Sequence, residues 1–482
     1  MIKRLKPLTA RIGIFGVAHP VYWDQFPGLF EQLNLYHRDF HNLVKKNDVE
    51  VIDFGIIDTN EKAYEALRKM RASDLDLIFC NMVTYATSSV FAPIMRNIGL
   101  PIILAALQPE AELDCANGST RKQLENDSIC SVPEFTGVAI RLGKKVDDVI
   151  IGTLYDDPAA EKELAEWCYI AKVLHDLKGA RFGLMGHVLE SMYDMHTDPT
   201  MIAAVFGVHV PLLEIDDMLA IHETIKDIEI KEKSKQVLKY FDTPDPVSDP
   251  ITTRLTDEDL WKTSKAAITL ERFVEKYNLS GLAYYYNGQP DSIQRELVSS
   301  FIVGNSILNA QGIPMCGEFD LKTCIAMFIM DRLDMGGSFA EFHPFDFVED
   351  YILVGHDGPH HIAIAEGKPV LRSLKKYHGK PGSGASVEFK IKEGPITMLN
   401  ITQDKNGNFR FIIGEGMSKK GPIPPTGNTN TRGFFAPDTK TFIKKWVMAG
   451  PTHHYALGIG HRADTIAKIA DILGIECDII RG

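Results

Sequence analysis

The sequence predicts an α/β protein in which two doubly wound α/β domains precede a C-terminal domain of mostly antiparallel strands. At 482 residues the chain is too long to pack around one hydrophobic core. Up to about residue 335, short apolar segments alternate with amphipathic helical segments, a pattern typical of parallel sheets covered by helices on both faces. Beyond it, segments that alternate apolar and polar residues are joined by turn sequences, which indicates antiparallel hairpins. We therefore predict domains at residues 1–175, 176–335 and 336–482.

The first domain contains a series of short apolar segments that predict parallel strands. They lie at residues 11–17, 49–57, 75–80, 101–106 and 149–153, and a further one at 181–185 belongs to the second domain. One helix is predicted to begin near Asn60, with Thr59 or Asn60 as its N-cap, and another to span residues 158–178.

The second domain continues this alternation, and the third replaces it. Strands are predicted at residues 208–215 and 281–286, with a long helix at 257–277 and another near 293–309. In the third domain, alternating segments at 385–391, 396–403 and 409–414 predict hairpin strands, and the last helix is predicted at 463–473.

Composition and charge exclude several classes of protein. The formal net charge of −12 leaves no excess of cations to neutralise phosphates, which argues against broad nucleic-acid or anionic-membrane binding. The 7 cysteines are scattered and contain no CxxC pair, as expected for reduced thiols in a cytoplasmic protein. The apolar run at residues 12–17 is too short for a signal peptide, and no window approaches the roughly 18 apolar residues of a spanning helix.

The common nucleotide and nucleophile motifs are missing. No G-x-G-x-x-G follows the first predicted strand, and no Walker A motif occurs, so the α/β domains lack a glycine-cradled phosphate site. The stretch Gly382-Ser383-Gly384 lies outside the strand-turn-helix context of a nucleophile elbow.

Two glutamates in turn-prone settings are candidate metal ligands. Glu318 precedes an apolar segment at residues 319–332 that predicts a buried helix, and we expect the helix dipole and free N–H groups to keep Glu318 ionised. Capping that helix is the simpler role for Glu318. Glu341 lies within an aromatic segment, where a carboxylate is costly to bury unless it is paired or ligating.

Several histidines are further candidates, and spacing leaves the choice among them open. His356 ends an apolar segment, but residues just after it offer the same ligand chemistry: Asp357, His360 and His361. Another tandem pair, His453-His454, lies near the end of the chain. In an extended segment adjacent side chains point to opposite faces, so only one member of each pair can reach a given metal.

An alternative cluster lies at Asp194, His196 and Asp198, which alternate and would share one face of a strand. However, Asp198-Pro199 is better interpreted as the start of a helix, with Asp198 as N-cap and proline in the first position.

Four segments, in order, carry a resemblance to a known family. They are GEFDLKT at residues 317–323, SFAEF at 338–342, LVGH at 353–356 and GPTHH at 450–454. They resemble the G-E-x-D-x-K-T, S-F-x-E, hydrophobic-G-x-H (or G-H) and G-G-x-H-H segments of the L-arabinose isomerase family, within the wider L-fucose/L-arabinose isomerase group.

The resemblance implies a metal-dependent isomerase of L-arabinose or a related free aldose, working through a cis-enediol. It implies that Glu318, Glu341, His356 and His454 bind a divalent metal, usually Mn²⁺ with Co²⁺ or others as alternatives. Glu318 and Glu341 would also be the catalytic acid and base. The implied fold is two Rossmann-like domains followed by a β-barrel-like domain. The implied assembly is a homo-oligomer, often a hexamer, with active sites between subunits.

The chain departs from the family in the first domain, where residues 82–85 (MVTY) replace a Met-His-Thr-Phe segment and remove a sugar-contacting histidine. Two other functions are alternatives. One is a noncatalytic sugar-binding protein built from two α/β lobes. The other is a metal-dependent lyase or aldolase acting on a sugar phosphate, which would need a phosphate anchor that no Gly-rich or Arg-rich loop supplies.

Overall fold

The structure is a computed structural model that describes residues 2–189, 191–244, 252–358, 360–377, 380–424 and 428–481. It contains two compact units: Leu8–Asp176, the N-terminal unit, and Met1–Pro7 with Leu177–Gly482, the large unit. The α/β class with parallel sheets and an antiparallel C-terminal barrel is confirmed. The division into three domains stays a prediction. In the described ranges, no helix is both long and apolar enough to cross a membrane.

The N-terminal unit is built on a five-stranded parallel sheet with the strand order β2-β1-β3-β4-β5. Its strands are β1 Arg11–Val17, β2 Glu50–Ile57, β3 Leu77–Asn81, β4 Ile102–Gln108 and β5 Asp148–Thr153. Its helices are α1 Val21–Gln25, α2 Leu29–Lys45, α3 Asn60–Ala72, α4 Ala92–Asn97, α5 Thr120–Glu125, α6 Val132–Arg141 and α7 Pro158–Leu177. Every residue of β3 is buried, as expected for a parallel strand covered on both faces. Thr59 caps α3, because its hydroxyl accepts a hydrogen bond from the backbone N–H of Lys62.

The large unit begins with an α/β portion whose parallel sheet has the order β10-β9-β6-β7. Its strands are β6 Phe182–Gly186, β7 Leu212–Leu213, β8 Thr252–Thr253, β9 Gly281–Tyr285 and β10 Met315–Cys316. Its helices are α8 Pro199–Phe206, α9 Ile215–Glu223, α10 Asp227–Tyr240, α11 Asp257–Tyr277, α12 Ile293–Ser299, α13 Ile302–Ala310 and α14 Leu321–Arg332. The strand β8 lies apart from this sheet and pairs with a later strand of the chain.

The rest of the large unit contains a closed antiparallel barrel of six strands. The strands of this part are β11 Gly336–Asp346, β12 Tyr351–His356, β13 Val370–Leu374, β14 Lys376–Tyr377, β15 Lys380–Pro381, β16 Ala385–Glu388, β17 Gly394–Gln403, β18 Phe409–Lys419, β19 Thr429–Phe434, β20 Tyr455–Ile459 and β21 Glu476–Ile480. Its helices are α15 Thr439–Met448 and α16 Ala463–Ile472. The barrel runs β17-β20-β11-β12-β19-β18 and closes through the pairing of β17 with β18, which removes the open edges of a sheet. Strand β21 is added in parallel to β18.

The predicted helix at 293–309 is divided into α12 and α13 in the structure. Ser300 stands at the break, where its hydroxyl donates to the carbonyl oxygen of Glu296 at 2.9 Å and so competes with the helical hydrogen bonds. Phe301, which follows, is completely buried, so the break also places an aromatic ring in the core. The predicted helix at 257–277 is confirmed with the same bounds as α11.

Helix α14 is the most deeply enclosed element of the large unit. All 12 of its residues are buried, and it packs against both the parallel sheet and the barrel. Gly337 on β11 has φ +95°, and a Cβ there would lie 2.6 Å from the carbonyl oxygen of Met327 in the helix. Only glycine therefore allows β11 to approach α14 this closely.

The last turn of α14 contains a buried charge network. The guanidinium of Arg332 donates to Asp331 at 2.8 Å, Arg4 from the start of the chain pairs with the same carboxylate, and Nε2 of His361 lies 3.3 Å from it. Burial raises the pKa of Asp331, but these partners lower it by more, so that it falls from the ordinary value to about 2. The hydrogen bond to His361 has the largest lowering effect.

We expect Asp331→Asn to destabilise the large unit at neutral pH. The pKa of Asp331 falls from 3.8 to about 2 on folding, which corresponds to about 2 kcal/mol of stability. Because the folded pKa is the lower one, this stability is present above about pH 4 and is lost as the pH falls through about 2.

The check is the unfolding midpoint of Asp331→Asn and of the parent protein, compared from neutral pH downward. The gap between them should narrow as the pH falls below about 4. Asp334→Asn, at an exposed position just after the helix, is the matched control and should leave the midpoint unchanged. A difference in unfolding midpoint that stays constant with pH would contradict the lowered pKa of Asp331.

Candidate active site

Glu318 lies in the turn between β10 and α14. Glu318 and Phe319 both have left-handed backbones, with φ +57° and +65°, which costs an L-residue roughly 1–2 kcal/mol each. Backbone hydrogen bonds hold the turn, from the N–H of Phe319 to the carbonyl of Tyr284 at 3.0 Å and from the N–H of Asp320 to the carbonyl of Gly317 at 3.1 Å. Strain of this kind persists only where the surroundings enforce it, and it concentrates at functional sites.

The other three candidate ligands are brought together by the register of neighbouring barrel strands. On β11, Glu341 is paired with Gly355, the residue before His356 on β12. On the other side of β11, Ala340 is paired with Tyr455, the residue after His454. Because β11 lies between β12 and β20, Glu341, His356 and His454 meet where β12 ends and β20 begins.

The ligand atoms of the four residues lie close together. Nε2 of His356 is 3.8 Å from Oε1 of Glu341, and Nε2 of His454 is 3.4 Å from Oε2 of Glu318. Two groups of three described residues have ligand atoms all within 4.8 Å of one another: Glu341, His356 and His454, and Glu318, His453 and His454. His454 belongs to both groups, so the four residues selected from the sequence form one cluster around it, which we call the ligand cluster.

A hydrogen bond at the other ring nitrogen orients each imidazole of the ligand cluster. Nδ1 of His454 lies 3.1 Å from Oδ2 of Asp320, a completely buried carboxylate, and Nδ1 of His356 bonds to the backbone carbonyl of Asp357. Carbonyl and carboxylate oxygens can only accept, so each Nδ1 carries the proton and each Nε2 keeps a lone pair. A carboxylate behind a histidine is a common arrangement at metal sites.

Unpartnered buried atoms show that the ligand cluster fits a cation. Oε2 of Glu318 and Nε2 of His454 are buried and have no hydrogen-bond partner among the described residues. Leaving such atoms unpaired costs about 1–3 kcal/mol each. A divalent cation between them would satisfy both, since carboxylate oxygens and neutral imidazole nitrogens are its ordinary ligands.

Asp320, and not Glu318, caps α14. Its Oδ1 accepts from the N–H of Thr323 at 3.0 Å, so the simpler capping role for Glu318 is wrong. That the helix terminus keeps Glu318 ionised stays a prediction. Glu318 stands before the cap, and burial raises its pKa above the ordinary value. The nearby imidazoles of His356 and His453 lower this pKa only in part, and Glu341 raises it further.

The two histidines of the pair His453-His454 have different surroundings. His454 is completely buried, whereas His453 is partly exposed and its Nδ1 lies 2.6 Å from Oδ2 of Asp194. Sequence spacing left open which of them faces a metal; both contribute ligand atoms to the groups above, and only His454 has an internal carboxylate behind it.

The remaining histidines and the alternative acidic cluster lie outside these groups. His361 binds Asp331, and Nδ1 of His360 lies 3.3 Å from the hydroxyl of Ser338. Asp198 caps α8 by accepting from the N–H of Thr200 at 2.7 Å, as the Asp-Pro pair indicated. Within the part of the chain that the structure describes, Asp194, His196 and Asp198 do not form a group of three ligands.

Two cavities border the ligand cluster. One, of about 330 Å³, has Glu318 and His356 in its lining and extends past Phe339 toward Tyr285 and Arg295; we call it the main cavity. Another, of about 320 Å³, is lined by residues that include Glu341 and His453. A small molecule could thus contact the ligand cluster from both.

Lys322 is a buried residue that ligand motifs alone did not identify. Its ammonium donates to the backbone carbonyls of Asp194 at 2.6 Å and of His196 at 3.2 Å, and burial lowers its pKa. It therefore ties the loop that holds His453 to α14. The only signal in the sequence was the lysine within the GEFDLKT segment.

Comparison with known proteins gives the same family as the motifs. A family model described as the L-arabinose isomerase C-terminal domain matches residues 336–476, a range that includes three of the four ligand-cluster residues. A curated L-arabinose isomerase of Nocardioides sp. is 23% identical over 447 residues, 90% of this chain and 86% of the relative. The chain is thus similar to L-arabinose isomerases over most of its length, and its residues 336–476 match the C-terminal domain of that family.

Further L-arabinose isomerases match at a similar level of identity. The L-arabinose isomerase of Herpetosiphon aurantiacus is 20% identical over 439 residues, 89% of this chain and 85% of the relative. That of Actinobacillus succinogenes is 23% identical over 356 residues, 71% of this chain and 69% of the relative.

We expect Asp320→Asn to weaken the binding of a divalent cation by the protein. Asparagine can still accept from the N–H of Thr323 and cap α14, but it does not fix the proton on Nδ1 of His454 as a carboxylate does. Loss of such a partner typically reduces metal affinity about 10- to 100-fold. The measurement is a competition titration against a chromogenic chelator. Asp464→Asn, at an exposed position on α16, is the control. Equal cation affinity of the Asp320→Asn and Asp464→Asn variants would show that Asp320 does not orient His454 for metal binding.

Proposed function

We propose that this protein belongs to the L-arabinose isomerase family and is a metal-dependent aldose–ketose isomerase that acts on L-arabinose or a related free aldose. The observation that carries the proposal is the ligand cluster itself. It combines two carboxylates and two imidazoles with open Nε2 atoms, and two of its residues, Glu318 and His356, line a cavity of about 330 Å³. Pockets of this size accommodate small ligands.

Glu318, Glu341, His356 and His454 would hold the metal. A mixed carboxylate and imidazole set suits Mn²⁺, with Co²⁺ and other divalent metals as competitors. When bound, such a cation acts as a Lewis acid that polarises the sugar carbonyl.

Glu318 and Glu341 supply the proton transfers. Interconverting an aldose and a ketose moves one proton between C1 and C2 and another between O1 and O2, through a cis-enediol, and needs a positioned base and acid. Glu318 lines the main cavity, so its carboxylate is placed to accept the proton from carbon and return it. Glu341, partly exposed at the other cavity, is suited to exchange protons with the hydroxyl oxygens.

Phe339 keeps the two imidazoles in place. Its ring centroid lies 4.5 Å from that of His356 and 4.2 Å from that of His454, and the phenyl ring is completely buried. It thereby separates the rings from solvent and limits their rotation. An orientation held in this way requires no rearrangement when substrate arrives.

We further infer a homo-oligomer, a hexamer by family resemblance, with active sites between subunits and a cytoplasmic location. A small sugar is the partner that this function requires, and the net charge of −12 gives no reason to expect nucleic acid or a membrane.

Metal removal should abolish isomerisation. Protein stripped with EDTA is expected to form no ketose from any of a panel of aldoses, and added Mn²⁺ should restore the activity. Stripped protein that still binds sugar, with no ketose formed after Mn²⁺ is added, would instead indicate a sugar-binding protein. A three-carbon product would indicate a lyase or aldolase.

Glu318→Gln and Glu341→Gln should each lower kcat by at least about 100-fold, since general acid–base groups typically contribute 10²–10⁴-fold. Glutamine is nearly isosteric, so the circular dichroism spectrum and unfolding midpoint should match those of the parent. Glu366→Gln, at an exposed position paired with Lys390, is the matched control and should retain parental activity. Normal turnover by Glu318→Gln would exclude its catalytic role.

A further inference from the structure

A smaller cavity adjoins the main cavity, and the function proposed above does not use it. It has a volume of about 120 Å³ and shares Arg295, Ser299 and Pro381 with the lining of the main cavity. The rest of its lining consists of Lys262, Asp291, Ser292, Glu296, Gly382 and Ser383, and we call this space the side cavity. A molecule that fills the main cavity could thus extend one end into the side cavity.

The side cavity contains a cation without a counter-ion. Lys262 is already paired, at 3.1 Å with Glu258 and at 3.3 Å with Glu296. Arg295, by contrast, has no carboxylate within 4.0 Å of its guanidinium among the described residues. The acidic residues in the lining do not compensate it, since Glu296 is paired with Lys262 and Asp291 is exposed. A guanidinium presents several N–H donors in a plane, which matches the oxygens of a phosphoryl or carboxylate group.

A hydroxyl group adds a further donor. Ser299 lies one helical turn after Arg295 on α12, so both face the same cavities. The hydroxyl of Ser383 also lines the side cavity, but it lies 2.9 Å from that of Ser300, whose own proton is donated to the carbonyl oxygen of Glu296. Ser383 therefore donates to Ser300, and only its lone pairs face the cavity.

The Gly-Ser-Gly stretch that carries Ser383 is held against α11. Gly384 has φ +72°, and a Cβ there would lie 2.5 Å from the hydroxyl oxygen of Thr263. Only glycine fits this position, and its close approach places Ser383 at the side cavity.

The lining of the main cavity mixes apolar and polar side chains. Met192, Val298 and Ile302 are apolar, whereas Tyr286 and Asn287 offer hydrogen-bonding groups. A neutral sugar can bond to the polar side chains, but an anionic group gains the charge of Arg295 in addition.

We propose that the aldose isomerised by this protein carries an anionic group, phosphoryl or carboxylate, at the end remote from its carbonyl, and that Arg295 and Ser299 bind this group in the side cavity. The proposal rests on the isomerase function proposed above. It keeps the isomerisation reaction and replaces neutral aldoses such as L-arabinose by acidic aldoses as the preferred substrates.

The first test measures the anion site without turnover. Inorganic phosphate is titrated into metal-free protein by calorimetry. Arg295→Gln should weaken its binding about 10- to 100-fold, the range expected for losing a charge-assisted hydrogen bond, and Arg295→Lys should restore part of it. Arg272→Gln is the control, because Arg272 lies outside both cavity linings and pairs with Glu229 at a similarly accessible position. Equal phosphate binding by the parent and Arg295→Gln would overturn the site.

The second test compares three substrates with Mn²⁺-loaded protein: an aldose phosphate, an aldose with a terminal carboxylate and the matched neutral aldose. One acidic substrate should show a kcat/KM at least about tenfold above the neutral one, mainly through KM, and Arg295→Gln should remove that advantage. Whichever acidic substrate responds identifies the group. A neutral aldose as the best substrate, unaffected by Arg295→Gln, would overturn the proposal. Failure of all three would overturn the isomerase function and the substrate assignment together, while the phosphate titration decides the anion site alone.

Discussion

The complete burial of α14 is the constraint on which the large unit depends. The helix packs against strands of both the parallel sheet and the barrel, so it cannot rotate without losing apolar contacts with one of them. The charged groups at its two ends are therefore held in place: Asp320 at the first turn, Asp331 and Arg332 at the last. Each has partners close by, because an unpaired buried charge would be strongly destabilising. One of these partnerships orients His454, and so connects the packing of the core to the chemistry of the ligand cluster.

The ligand cluster differs from the paired charged groups at the two ends of α14. Its atoms are brought together with polar positions left unfilled on Glu318 and His454, and with two successive left-handed residues at Glu318 and Phe319. Both features are unfavourable by themselves, and a loop free to relax would remove them. Here β10 and α14 hold one side and the barrel strands β11, β12 and β20 hold the other. The site is preorganised because its neighbours are rigid.

The elements that sequence patterns predicted best are those with strong local signals. Helix α11 has the predicted bounds because it begins with an N-cap at Thr256 and ends at Asn278 in a left-handed conformation. The helix at 293–309 was predicted as one because its apolar pattern is continuous across Ser300; the hydrogen bond of Ser300 to Glu296 that accompanies the break has no signal in that pattern. Asp320 was overlooked for a related reason, since spacing from an apolar run does not distinguish a cap from the residue two positions before it.

From the sequence patterns came the α/β class and the change to antiparallel strands after residue 335. Short-range patterns suffice for these, because strand alternation is a local property. The set of four candidate ligands came from the resemblance of four segments to a known family, since spacing left the choice among the histidines open. Only the tertiary structure decided which nitrogen of each imidazole is open, what surrounds Glu318, and that Arg295 and Ser383 border one cavity. Those facts depend on strand register and on helix packing, which join residues such as Asp320 and His454 across more than a hundred positions. For the same reason the side cavity, which is lined by residues of α11, α12 and the loop at Gly382, has no motif in the sequence.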